Sequence, residues 1–324
     1  MRRAVIDIGT NTVKLLVADV DGGTVTPVHH LDDTTRLGEG MVALRKHSER
    51  ALPSSPTAAT GTVAPRLSPA AMARTVVAID RYAAEARRRG AGDVIALTTS
   101  ATRNAGNAAE FLDAVRRQTG LAVQVISGER EAALIFRGAA SDPAWAGQRL
   151  LVMDVGGGSA EWILGQGSRI ECAQSLPVGA VRLREQFGDD FTGLAAHLRD
   201  ALAGVLAPYR AGRWRMIGTG GTILTLAAIC RASAPLAEGD PRQPERLPYK
   251  GIDHAMLTLD AIRALVTHLN AVPLAERQRV PGLPPERADI IVAGGAVFLF
   301  AMELLGAGEI TVSIRGLRFG ALLG

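Results

Sequence analysis

Two stretches decide the reading of this chain: VIDIGTNTVKLLV at residues 5–17 and VMDVGGGSAEWIL at residues 152–164. They align without a gap at an offset of 147 residues, which sets Asp7 on Asp154, Gly9 on Gly156, Thr12 on Ser159 and Lys14 on Glu161. Each copy is a β-branched run ending in an acid, a glycine-rich turn, and a second apolar run. That is the pattern of strand, tight turn and strand. Solenoid repeats recur every 20–50 residues or so; a repeat near half the chain length points to domain duplication instead. A length of 324 residues suits two domains.

Outward from each hairpin, strands alternate with helices, the grammar of an α/β protein. After the first copy come RLGEGM (36–41) and an Ala, Pro, Ser and Thr-rich stretch at 45–67, read as a mobile surface loop. Ser68 and Pro69 open a helix that Gly90 ends. A strand at 93–101 leads to a helix capped by Asn107 and Glu110, then a strand at 122–127 and a helix through 129–136. After the second copy the order is a strand near 169–175, a long helix at 193–209, a strand at 214–222 and a helix at 222–231. A Pro-rich irregular segment (235–248), helices at 258–270 and 285–305, and a strand at 309–314 running into a basic turn, RGLRFG, complete the pass. The domains are read as 1–127 and 128–306, with 307–324 packing back on the first.

Hydrophobic residues make up 47% and charged residues 21%, enough apolar material for two cores. The formal net charge of +4 is small and dispersed, which argues against a nucleic-acid-binding face. Only Lys14, Lys46 and Lys250 are lysines, so the positive charge is almost all arginine, the side chain suited to gripping phosphate. The two cysteines, Cys172 and Cys230, have no paired spacing, consistent with a reducing compartment and no structural zinc. Asp7 breaks the apolar run after MRRAVI, leaving no signal-peptide core, and no stretch nears the roughly 20 apolar residues of a membrane span. A cytoplasmic protein with no membrane partner is the expectation.

A turn of strand, acid and glycines exposes consecutive backbone N–H groups to anionic oxygen, and lets phosphate approach where side chains are missing. The acid at the strand end can hold hydrated Mg²⁺ or orient water beside that phosphate. One such turn is common in any hairpin. Two aligned copies and a third turn, GTGGT (218–222), together read as a phosphate site.

In order and spacing, DIGTNTVKLLV, TTSATRNAGN, ISGEREA, DVGGGSAE, SLPVGAVRL and IGTGGT resemble the exopolyphosphatase/guanosine pentaphosphate phosphatase (Ppx/GppA) family, from residue 4 to about 320. The resemblance implies two duplicated actin-like (ribonuclease H-like) domains with a cleft between them, in a short two-domain form. It implies hydrolysis of the terminal phosphoanhydride of inorganic polyphosphate or of pppGpp, with Mg²⁺ as cofactor, K⁺ as an activator and a homodimer as one form. Glu131 matches the glutamate that activates water, and Glu161 joins it in shaping the water site. Asp154 and Glu161, with Asp7 opposite, match metal-holding acids. Arg103 matches a phosphate-contacting arginine. Asn11, Thr12, Lys14, Gly157, Gly158, Ser159, Gly218, Thr219, Gly220 and Gly221 would line the phosphate path, with Arg318 a weaker addition. Without the resemblance, Glu131 reads as an acid favoured by the dipole of a helix start.

The pattern departs from the family at Ile314 and Phe319, where relatives carry acids, and at Lys14, where many carry arginine. Two other readings share the fold: a sugar- or acetate-type kinase using ATP, and a non-catalytic sensor of (p)ppGpp or polyphosphate. A kinase of this type usually carries an aspartate base and a sugar-binding cluster, and a sensor needs no water-activating glutamate.

Overall fold

The computed structural model describes residues 1–41, 64–232 and 251–324. Most of the 45–67 loop and the whole 235–248 segment lie outside the described residues. The first hairpin is β1 (Arg2–Ile8) and β2 (Thr12–Asp21), extended by β3 (Thr24–Thr34). There follow α1 (Pro69–Arg88), β4 (Asp93–Thr98), α2 (Ser100–Asn104), α3 (Ala108–Thr119), β5 (Val123–Val125) and α4 (Gly128–Ala140). The sheet runs in the order β3-β2-β1-β4-β5, with β1, β4 and β5 parallel.

The second lobe repeats this plan. Strands β6 (Arg149–Val155), β7 (Ala160–Gln166) and β8 (Arg169–Leu176) precede α5 (Ala180–Phe187), α6 (Phe191–Val205), β9 (Arg215–Thr219) and α7 (Gly220–Ala232). Then come β10 (Met256–Thr258), α8 (Leu259–Ala271), α9 (Leu274–Arg277), α10 (Ile291–Leu305), β11 (Glu309–Val312) and α11 (Leu317–Leu322). Its sheet order is β10-β11-β9-β6-β7-β8. Set aside the extra antiparallel edge strand β10, and β8-β7-β6-β9-β11 is the first sheet again. This is the α/β, duplicated actin-like plan that the hairpin repeat implies.

The chain crosses over between the lobes. Helix α4 lies on β6, β7 and β8 of the second sheet, while α11 packs against α4 and β1. The two helices meet backbone to backbone at two glycines. A Cβ on Gly138 would stand 2.1 Å from the carbonyl oxygen of Gly316, and one on Gly320 would stand 1.8 Å from that of Leu134. No larger residue fits either place without parting the helices. Around this crossing a single cluster joins both lobes: Val5, Leu16 and Leu97 from one sheet, Val152, Ile163 and Ile217 from the other, with Phe136 and Phe319 between. Burial of this shared apolar surface ties the lobes together. Phe319 is buried there and Ile314 packs on its margin, so both departures from the family pattern serve the core.

Four expectations change. The basic turn RGLRFG is the helix α11, since tertiary packing on α4 orders a segment too short to show periodicity. Asn107 makes no side-chain cap for α3; its amide accepts from the Leu67 N–H (2.8 Å) and donates to the Leu67 carbonyl (3.0 Å). A helix α5 opens at Ala180, in the stretch read only as a connection after the strand near 169–175. The helix expected at 285–305 begins only at Ile291, after a tight turn at Pro285–Arg287. Among the described residues no helix is long and apolar enough to cross a membrane.

Candidate active site

The parallel strands β1, β4, β6 and β9 carry their C-terminal ends to one cleft, the usual place for ligands in such sheets. A cavity of about 110 Å³ lies there. Asp7, Asn11, Thr12 and Lys14 line it from the first hairpin, and Asp154, Gly157, Gly158 and Ser159 from the second. Gly220 and Gly221 come from the third turn, and Glu131 from the first turn of α4. The two hairpin turns nearly touch. A Cβ on Gly158 would stand 2.5 Å from the Ser100 hydroxyl and 2.7 Å from that of Thr10, so glycine is what allows the approach.

Glu131 stands in the first turn of α4, at the helix start that the sequence predicts. Ser127 caps α4, its hydroxyl accepting from the Arg130 N–H at 3.1 Å. The Glu131 carboxylate, 7% exposed, accepts from Arg103 Nη1 at 3.0 Å. Arg103 also donates to the Ile126 carbonyl at 2.8 Å. The Glu131 carboxyl is pushed up to about 7, by burial first and by the charges of Asp7 and Asp154, against the pull of Arg103.

Asp7 and Asp154 open on the cavity yet are ringed by protein. Desolvation raises both above the usual carboxylate range, against the pull of Lys14 and Arg318 on Asp7 and of the Thr219 hydroxyl on Asp154. Thr219 Oγ1 donates to Asp154 Oδ2 at 2.7 Å. Lys14 is held below its ordinary value by burial and then by Arg318 and Arg287. Glu161 is buried behind the cavity, accepting from Ser175 Oγ at 2.8 Å, and burial with the nearby Glu131 and Asp154 raises it well above its ordinary value.

Four expected site residues do not line the cavity. Arg103 spends its guanidinium on Glu131. Glu161 and Thr219 stand one layer back, against Ser175 and Asp154 respectively. Gly218 lies inside β9, where a Cβ would stand 2.9 Å from both Ile223 and Ile310; its glycine makes room for the core and not for phosphate. Among the described residues the one trio of acids and histidine whose ligand atoms lie within 4.8 Å of one another is Asp142, Asp253 and His254, not Asp7, Asp154 and Glu161.

The lining also includes Thr10, Thr99, Ser100 and Arg287, which no motif reading singled out, and Arg318. Arg287 donates to Thr12 Oγ1 at 3.4 Å. Arg318 donates to the Leu15 carbonyl at 3.2 Å and lies 2.5 Å from His30 Nδ1. Thr10 Oγ1 and Asn11 Oδ1 are buried without a hydrogen-bond partner, a costly state that a polar ligand would relieve.

The Ppx/GppA phosphatase family pattern matches residues 16–324. Exopolyphosphatase 1 of Mycobacterium leprae is 33% identical over the whole of this chain and 89% of its own length. A guanosine-5'-triphosphate,3'-diphosphate pyrophosphatase of Aeromonas hydrophila is 29% identical over 99% of this chain, which is 58% of that relative. Among solved structures, an exopolyphosphatase from Cytophaga hutchinsonii superposes with a TM-score of 0.80 at 26% identity, covering 99% of this chain and 96% of the other. An Aquifex aeolicus member of the Ppx/GppA family gives 0.73 at 29%, covering 100% and 96%. Sequence, sheet order and cleft agree: this chain belongs to the Ppx/GppA phosphatase family.

Proposed function

We propose that the protein hydrolyses the terminal phosphoanhydride of inorganic polyphosphate, releasing orthophosphate, with pppGpp, which ends in the same bond, as a second substrate. One observation carries the reading. A buried glutamate, ionising near pH 7 and aimed by an arginine, faces a cavity framed by three glycine-rich turns. A general base works best when its pKa lies near the working pH.

In this mechanism the turns at Gly157, Gly158, Gly220 and Gly221 receive phosphate oxygens, and Lys14, Arg287 and Arg318 offset their charge. Glu131 takes a proton from a water aligned with the terminal phosphorus. The water oxygen bonds to that phosphorus, the bridging P–O bond breaks, and the electron pair leaves on the shortened chain. Arg103 keeps the Glu131 carboxylate turned to the water through the change of charge. The Thr10 hydroxyl gains in a substrate phosphate oxygen the acceptor that the protein does not give it, while Asn11 Oδ1, an acceptor, takes a hydrogen from water held beside the phosphate.

The donor set fits Mg²⁺. That ion takes hard oxygen ligands and is typically held by only one or two carboxylates, the rest being water and substrate oxygen. Asp154 and Asp7 would hold it, and a convergent trio is not required; Glu161, behind them, would orient its water. Bound there, Mg²⁺ would draw off the charge developing on phosphate oxygens.

Orthophosphate release measured with Mg²⁺ on long polyphosphate, short polyphosphate, pppGpp and ATP tests the proposal. Release from polyphosphate or pppGpp well above that from ATP is the expected result. Turnover of ATP alone, or of none of the four, would rule it out.

A further inference from the structure

The motif RLGEG (36–40) takes no part in the mechanism above, yet it is bonded to both lobes. Its backbone lies along the first phosphate turn: the Arg36 N–H donates to the Asn11 carbonyl at 2.8 Å, and the Gly38 N–H to that of Thr10 at 2.9 Å. Arg36 holds a left-handed backbone (φ 52°), which a non-glycine residue keeps only where its surroundings demand it.

From that anchor the Arg36 side chain crosses to the second lobe. Nη1 meets Asp289 Oδ2 at 2.7 Å, and Nη2 meets Asp289 Oδ1 at 3.0 Å and the Glu286 carbonyl at 2.9 Å. This is the paired-fork geometry that sets arginine apart from lysine. A second strut runs nearby, from the Gly40 N–H to Glu185 Oε1 at 2.7 Å. Between Glu286 and Asp289 lies Arg287, whose guanidinium lines the cavity and reaches Thr12 Oγ1 of the first hairpin. Arg36 thus holds both sides of the residue that brings a second-lobe cation to the first-lobe turn.

We propose that Arg36 and Asp289 form an interlobe clasp that positions Arg287 and keeps the cleft closed on the end of a phosphate chain. Arg36 is a positioning residue: it acts on substrate through Arg287. The identity of the substrate rests on the phosphohydrolase reading; the clasp itself rests on the geometry. Opening it lowers the fraction of molecules competent to bind, and apparent affinity falls by that fraction. The bonds of the transition state are made elsewhere, so the loss falls on KM.

The experiment compares Arg36→Ala, Asp289→Ala, their double variant and Arg36→Lys with the wild type. It reads kcat and KM for orthophosphate release from polyphosphate, and amide hydrogen exchange across residues 9–12 and 36–41. Each single alanine variant is expected to raise KM about tenfold with kcat within about threefold, to speed exchange in both segments, and to be no milder than the double variant. Arg36→Lys, which keeps the charge but loses the fork, should fall between. Wild-type KM and exchange in the single variants would overturn the clasp, as would losses that multiply in the double variant. If an alanine variant does not fold, Arg36→Lys carries the same comparison. Exchange needs no turnover, so a wild type inactive on polyphosphate would sink the hydrolase reading while the exchange data still decide the clasp.

Discussion

In the first hairpin Asp7 stands opposite Lys14 across the β1–β2 ladder; in the second, Asp154 stands opposite Glu161 across β6–β7. Backbone and register are repeated, and one cross-strand partner has changed sign. The consequence is electrostatic. In the first lobe Lys14 draws Asp7 back toward ionisation, although burial still leaves Asp7 above and Lys14 below its ordinary value. In the second, Glu161 feels burial together with the charges of Glu131 and Asp154, all of which resist its ionisation. Three carboxyls, Glu131, Asp154 and Glu161, gather on that side, each raised above its ordinary value, and a proton or a cation would relieve them. Duplication supplied two glycine-rich turns; in the mechanism proposed above, the substitution at one rung adds a cation for the phosphate chain to the first and a carboxyl to orient metal-bound water to the second.

The comparison can be broken most severely at the base between the two copies. Glu131→Gln fills the same space and accepts from Arg103 but cannot take a proton, so kcat should fall by roughly 10²–10⁴ while polyphosphate binding persists in a filter assay. Turnover near wild type would remove Glu131 from the mechanism. Next comes rewriting the second hairpin as the first. Glu161→Lys should cost on the order of a hundredfold in kcat and abolish the response to added Mg²⁺, since a buried cation would repel the metal. The reverse side is milder: Lys14→Met should raise KM about tenfold and spare kcat, the loss of a binding cation worth roughly 1.4 kcal/mol. Equal effects of the two changes on kcat would erase the proposed asymmetry.

The smallest effect is one of stability. The Glu131 carboxyl ionises near 7 in the fold, above its ordinary 4.5. A raised carboxylate pKa means the folded state binds the proton more tightly than the unfolded chain. That stabilisation is complete below about 4.5 and is lost as pH rises through about 7. Glu131→Gln, permanently neutral, should therefore melt a few degrees above wild type at pH 8 and no higher at pH 4. For activity the sign is opposite: the base is competent only when ionised, so kcat/KM should climb as pH passes through about 7. A melting shift that is the same at both pH values would place the Glu131 carboxylate in contact with water.

The duplicated fold and the floor of the cleft were legible because their signals are local. Alternating apolar runs, a terminal acid and a glycine turn lie within 13 residues of each other in both copies (5–17 and 152–164), and such patterns survive without tertiary information. Arg287 was not legible. It sits in a tight turn with no glycine signature and reaches Thr12 across 275 residues of chain. Arg103 was found but assigned to phosphate, because nothing local shows that it reaches Glu131, 28 residues on. Gly218 shared a motif with Gly220 and Gly221, yet it lies within β9 while those two open α7 past the strand end, and Gly218 makes room for Ile223 and Ile310. Helix α11 was missed because six residues carry too little periodicity; its order comes from the glycine contact with α4.

The most direct test of the account is hydrolysis of polyphosphate in water enriched in oxygen-18, with the products resolved by mass spectrometry. Attack by Glu131-activated water on the terminal phosphorus predicts one labelled oxygen in each orthophosphate released and none in the shortened chain. Label on the chain end, or orthophosphate released without label, would contradict it.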